Sequence, residues 1–137
     1  MLLQKFFATK SVSGSLASFG VLVLRVAISA MMITHGLNKM SNFSTYSPAF
    51  DLIGIGGTLS LSLVIFAEVF CSIALILGLL TRLATFPLIF AMGVAIFIKH
   101  AGDAFAIKEL ALLYLTVYIV LLIIGPGRYS IDRILWK

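Results

Sequence analysis

Arg25, His35, Glu68, His100 and Glu109 are acid–base side chains that fall inside, or at the edge of, long apolar stretches. Arg25 and Glu68 each lie near the middle of one stretch. A charge at mid-membrane depth costs about 2.5 to 3.5 kcal/mol on insertion scales, so each is expected to have a partner, and each is the natural partner of the other. A buried Arg25–Glu68 ion pair would fix the register of two antiparallel helices. The competing reading is a proton or ligand site in which Glu68 titrates.

A second group gathers toward one end of the same stretches: His35, Lys39, Lys99, His100 and Glu109. On a wheel of about 100° per residue, Arg25, Met32, His35, Gly36 and Lys39 share roughly a quarter-turn, which makes a polar stripe descending to Arg25. His35, His100 and Glu109 come from three different stretches at similar depth, so a pocket lined by these three is expected. Imidazoles and a carboxyl suit proton exchange with a quinone, whose two carbonyls need donors on reduction. The competing reading is that they, like the lysines, are helix-end residues reaching for headgroups. His35 and His100 could also be axial haem ligands, or with Glu109 a metal site, but two histidines do not specify either; no metal site and no catalytic residue is assigned. Cys71, the single cysteine, sits one turn from Glu68 in an apolar run and reads as a small apolar filler. The glycines at 54, 56 and 57 and the Gly125-Pro126-Gly127 run lack the strand-to-helix context of a phosphate cradle.

These side chains must be positioned by membrane helices. Of 137 residues, 61% are hydrophobic and 11% charged, with a mean hydropathy of +1.16, whereas soluble domains are about half apolar and a quarter charged. Apolar stretches at about 16–34, 58–80, 83–98 and 104–124 are each near the roughly 20 residues of a membrane span. The reading is an all-α polytopic membrane protein, a four-transmembrane-helix bundle forming a single domain over 1–137. Arg25 interrupts the first stretch, which argues against a cleavable signal peptide, and the residues before it read as an interfacial lead-in. Thr81 and Arg82 are left as the link between spans two and three, Pro87 falls in the first turns of the third, and Gly125-Pro126-Gly127 ends the fourth. The Met40–Gly57 linker has room for a short interfacial helix.

Ten Lys and Arg against five Asp and Glu give a net charge of +5. No basic stripe is interleaved with aromatics, so nucleic acid is not an expected partner; the bilayer is. Lys5, Lys10, Arg82, Arg128, Arg133 and Lys137 fall on the side of both termini, which the positive-inside rule makes cytoplasmic.

With these residues placed, the chain resembles the DoxX family of small bacterial four-helix membrane proteins. The resemblance is carried by Leu24-Arg25, His35-Gly36-Leu37-Asn38-Lys39, Glu68, Gly78-Leu79-Leu80-Thr81-Arg82 and Gly125-Pro126-Gly127-Arg128-Tyr129-Ser130-Ile131-Asp132, in that order, from about Ser18 onward. It implies the bacterial inner membrane, and some relatives are membrane subunits of thiosulfate:quinone oxidoreductases or of thiol-stress complexes. No flavin, haem or iron–sulfur motif is present, so the expectation is a quinone-side or anchoring subunit of an oxidoreductase held in another polypeptide. Quinone is the candidate ligand, and no covalent cofactor is expected. The alternatives are a non-catalytic accessory or assembly protein and a small-molecule carrier; at this size a homodimer stays open. The accessory reading calls for a tightly packed bundle, for which Ala27, Ser29, Ala30, Ser72, Ala74 and Gly78 supply small helix-contact residues.

Overall fold

Each apolar stretch of the sequence becomes one long helix in the computed structural model, which describes residues 2–7 and 14–136. Among these residues the chain forms α1 (Leu2–Phe7), α2 (Ser15–Ser41), a one-turn α3 (Phe43–Tyr46), α4 (Gly57–Leu77), α5 (Thr81–Lys99), α6 (Phe105–Ile124) and a short α7 (Ile131–Leu135), with no strand. Helices α2, α4, α5 and α6 are long and apolar enough to cross a membrane. They run up and down, with α2 packed on α4, α4 on α5, α5 on α6, and α6 closing onto α2. Lys10 and Lys137, which entered the charge count above, and the Lys5 side chain lie outside the described residues.

The buried face of α2 shows why it sits where it does. Ser18, Val21, Arg25, Ile28, Ser29, Met32 and Gly36 are its buried residues, a stripe at helical spacing that meets Leu75, Leu88, Tyr118 and Leu121 in the core. The helix continues through Ser41, beyond the expected end at Thr34. Gly36 does not stop it, because this glycine is a point of close approach. A Cβ there would lie 2.5 Å from Val69 Cγ2 and 3.0 Å from Glu68 Cβ, so only glycine lets α2 and α4 meet at this level.

The α4–α5 hairpin is also drawn differently from the sequence expectation. Helix α4 ends at Leu77 and Thr81 already begins α5, so the turn is Gly78-Leu79-Leu80. Gly78 has φ +68°, and the amide of Leu79 donates to the carbonyl of Ala74 at 2.9 Å, which is a glycine-terminated helix end. With α5 starting at Thr81, Pro87 falls in the second turn and inside the helix, and its missing N–H deprives the Leu83 carbonyl of a helical donor.

Helix α6 is the least enclosed span, with 17% of its most apolar window buried. Tyr114, Tyr118 and Leu121 turn inward, while Leu113, Val120 and Ile123 face out of the bundle.

Candidate functional site

The two intramembrane charges do not meet. Arg25 and Glu68 are both buried, at 1% and 3% exposure, yet among the described residues the salt bridge of Glu68 is with Lys39. The register of α2 on α4 is the reason. Gly36 lies against Glu68, so Arg25, eleven residues earlier, is displaced from it by about 16 Å along the helix. The sequence reading placed both residues near mid-membrane but could not see this offset.

Arg25 instead belongs to the end of the bundle that carries the termini. Its Nε donates to the Leu75 carbonyl at 2.8 Å, and its terminal nitrogens donate to the carbonyls of Ile76 at 3.2 Å, Tyr129 at 3.1 Å and Pro126. The first two are carbonyls of the last turn of α4, the Leu75 one shared with the Gly78 amide at 3.1 Å, where a cation is favoured by the helix dipole. Beside it the Asp132 carboxylate accepts from the amides of Leu80 at 2.6 Å and Thr81 at 2.8 Å, at the N-terminus of α5, and the Asp132 amide donates to the Gly78 carbonyl at 2.9 Å. One cation and one anion thus hold the two ends of the hairpin turn and tie the C-terminal segment to them. Asp132 was missed as a site residue; its place in the Gly125–Asp132 motif, just behind a helix terminator, was the available signal. The arrangement is a structural knot, since every polar atom of the guanidinium is spent on backbone.

At the opposite end, where the Met40–Gly57 linker lies, the geometry is different. Glu68 receives Lys39 Nζ on both oxygens, at 2.7 and 3.0 Å. It sits in a π-helical turn, Phe66–Cys71, and Lys99 sits in a second one, Ala95–Lys99, at the end of α5. Such turns inside α-helices concentrate at functional sites. A cavity of about 600 Å³ opens over the Lys39–Glu68 pair, with His35, Asn38, Lys39, Tyr46, Phe50 and Lys99 among its walls. His35 stands edge-on to Tyr114, with ring centroids 5.9 Å apart, and Tyr114 stacks on Tyr118 at 6.2 Å. Lys99 Nζ lies 5.8 Å from the centre of the Phe50 ring. Among the described residues, neither His35 nor Lys99 gives its nitrogen to a protein acceptor.

Of the three residues expected to line one pocket, the structure brings only His35 to it. His100 follows the end of α5 and turns back onto Asp103, with Nδ1 2.6 Å from Oδ2, outside the cavity. Glu109 is exposed. It lies nine residues from Tyr118 on α6, hence on the opposite side of the helix, and it is the tyrosine side that packs inward. Lys99 and Lys39, read from the sequence as helix-end lysines, take the places expected of His100 and Glu109. The cavity therefore offers two exposed donors without a protein acceptor, His35 and Lys99, beside the part-buried Lys39–Glu68 pair. That set can hydrogen-bond a ligand carrying carbonyl or anionic oxygens.

Comparison with known proteins gives a DoxX family match over residues 20–101. The chain is 35% identical over 127 residues to the protein named inner membrane protein YqjF of Escherichia coli strain K12, covering 89% of this chain and 96% of that protein. It is 34% identical over 124 residues to an uncharacterized protein of Haemophilus influenzae, covering 83% of this chain and 89% of that one. No solved structure matches it.

Proposed function

The chain belongs to the DoxX family, and from that premise we propose that it is a quinone-binding, anchoring subunit of an inner-membrane oxidoreductase complex. The observation that carries this reading is the cavity at the linker end, with His35 and Lys99 free to donate above the Lys39–Glu68 pair. A quinone head has two carbonyl oxygens, and one donor is available for each. When bound, the quinone supplies the electron-accepting chemistry; its reduction consumes two electrons, which come from the partner polypeptide, and two protons. His35 hands a proton to the oxygen it faces and Lys99 one to the other, and both are reprotonated from the solvent side of the cavity. Lys99 orients the second oxygen, and Phe50 gives the ring an aromatic face. Lys39 lines the cavity, and its pair with Glu68 keeps α2 against α4. The basic residues at the terminal end support, by the positive-inside rule, an orientation with cytoplasmic termini and the cavity opening to the other side.

The test is binding of a tail-free benzoquinone to the purified protein. His35→Leu and Lys99→Ala should each weaken binding by up to about tenfold, the scale of one hydrogen bond, while His100→Leu leaves it unchanged. Equal affinity in wild type and the His35→Leu, Lys99→Ala double variant would reject the site and favour the accessory-protein reading.

A further inference from the structure

A second concavity, of about 680 Å³, runs along the outside of α4 and α5. Its floor is made of small residues, Ala67 on α4 and Ala84 and Ala91 on α5, all buried by their neighbours. Its walls are Phe66, Phe70, Phe86 and Phe90, each about half exposed. Small floor and tall aromatic walls make a slot rather than a flat helix face. On α4 its lining runs from Ser60 to Ala74, a length of about 21 Å. One leaflet of a bilayer is about 15 Å deep. The slot thus starts at Phe50 in the linker and continues past mid-membrane to Leu80 in the hairpin turn.

Phe50 lines both this slot and the polar cavity, and it carries the Lys99 ammonium over its ring. The two concavities therefore meet at one side chain, polar on one side and apolar on the other. We infer that the slot seats the polyprenyl tail of the quinone whose head lies in the linker-end cavity, with Phe50 at the junction. The inference rests on the quinone reading of that cavity. Length selects the occupant: an acyl chain of a lipid in the linker-end leaflet stops near mid-membrane and leaves the hairpin end of the slot unfilled, whereas a tail of several isoprene units continues along it. Because lipid is as apolar as the slot, the tail gains packing rather than hydrophobic transfer.

The test uses the full chain in phosphatidylcholine nanodiscs and two ligands, a tail-free benzoquinone and the same head with a tail of several isoprene units, long enough to reach Ala84 from Phe50. Wild type should prefer the tailed ligand by more than empty nanodiscs do. Ala84→Phe, which fills the slot, should cut that excess preference about tenfold, the scale of some ten lost van der Waals contacts, and leave tail-free binding unchanged. Ala91→Leu should lower it by a smaller factor, and serves if Ala84→Phe fails to assemble. An unchanged preference in these variants, with tail-free binding intact, overturns the slot assignment and leaves the head site standing. Absence of binding by either quinone to wild type overturns the head site, and the tail seat with it. Native mass spectrometry adds a further readout: a phospholipid retained by wild type and lost from Ala84→Phe would make the slot a lipid seat and refute the inference.

Discussion

Arg25→Met is the most informative single substitution in this chain. The guanidinium makes five hydrogen bonds to four carbonyls, those of Leu75, Ile76, Pro126 and Tyr129. Methionine keeps most of the side-chain volume and removes every guanidinium donor from these carbonyls, of which that of Leu75 keeps a backbone donor, the Gly78 amide. Hydrogen bonds to a charged group are worth about 1.5 to 3 kcal/mol each, but burying the cation has a desolvation cost that its removal recovers. The net loss on breaking such a buried arrangement is about 3 to 5 kcal/mol. For a chain of this length that corresponds to a melting temperature lower by roughly 10 to 20 °C, read by thermal unfolding of the purified protein in detergent. Arg25→Lys should lose about half as much, because one ammonium cannot span the carbonyls that the planar fork reaches. Two double-mutant cycles then separate the knot from the ion pair expected from sequence. Arg25→Met with Asp132→Asn should show coupling above about 0.5 kcal/mol, since both residues hold the same turn. Arg25→Met with Glu68→Gln should add to within about 0.5 kcal/mol, as expected of distant sites. A melting temperature within 2 °C of wild type, on the order of half a kcal/mol, would refute the knot, and strong coupling to Glu68 would restore the direct pair.

Gly36→Ala places a methyl 2.5 Å from Val69 Cγ2 and should cost about 1 to 3 kcal/mol by overpacking, with a larger loss for Gly36→Leu; wild-type melting of Gly36→Leu would contradict the α2–α4 register. Lys39→Met should destabilise more than the Lys39→Met, Glu68→Leu pair, because the single variant leaves a buried carboxylate uncompensated. Thermal unfolding of both proteins checks the order. In a Cys71→Ser background, Asn42→Cys should react with a membrane-impermeant thiol reagent on intact cells and Arg128→Cys should not; the reverse pattern would place the termini outside.

The helices were legible because apolar runs of membrane length have few structural outcomes, and their ends were recovered to within a few residues except at two places. At Gly36 and Gly78 the sequence offers the same residue type for opposite purposes. Gly78 ends α4 with φ +68°, while Gly36 lets α2 run on beneath α4, and only the partner helix distinguishes them. The site was less legible for the same reason. Reading depth along each helix places Arg25 near Glu68, and His35 near His100 and Glu109. Which of them touch depends on interhelical offset and on which face turns inward, and neither is encoded in a single helix's pattern. On α6, Glu109 and Tyr118 stand on opposite sides of the helix; choosing the inward face required seeing that two aromatic rings fill the core better than a stripe interrupted by a carboxylate and Thr116.

The motifs that carried the family resemblance sort cleanly once they are placed. Leu24-Arg25, the Gly78–Arg82 turn and the Gly125–Asp132 tail converge on one end, where Arg25 and Asp132 spend their charges on backbone groups. The His35–Lys39 segment and Glu68 converge on the other, where Lys39 and Glu68 neutralise each other and leave His35 and Lys99 uncommitted. A fully satisfied polar cluster rigidifies a fold, and the first end is of that kind. Donors held at a cavity without a protein acceptor serve no such purpose, and Lys99 lies in one π-helical turn while Glu68 lies in the other. The division explains why one chain carries two sets of intramembrane charges: the knot fixes the hairpin that sets the depth of α4 and α5, and that depth brings Glu68 under Lys39 and Lys99 over Phe50.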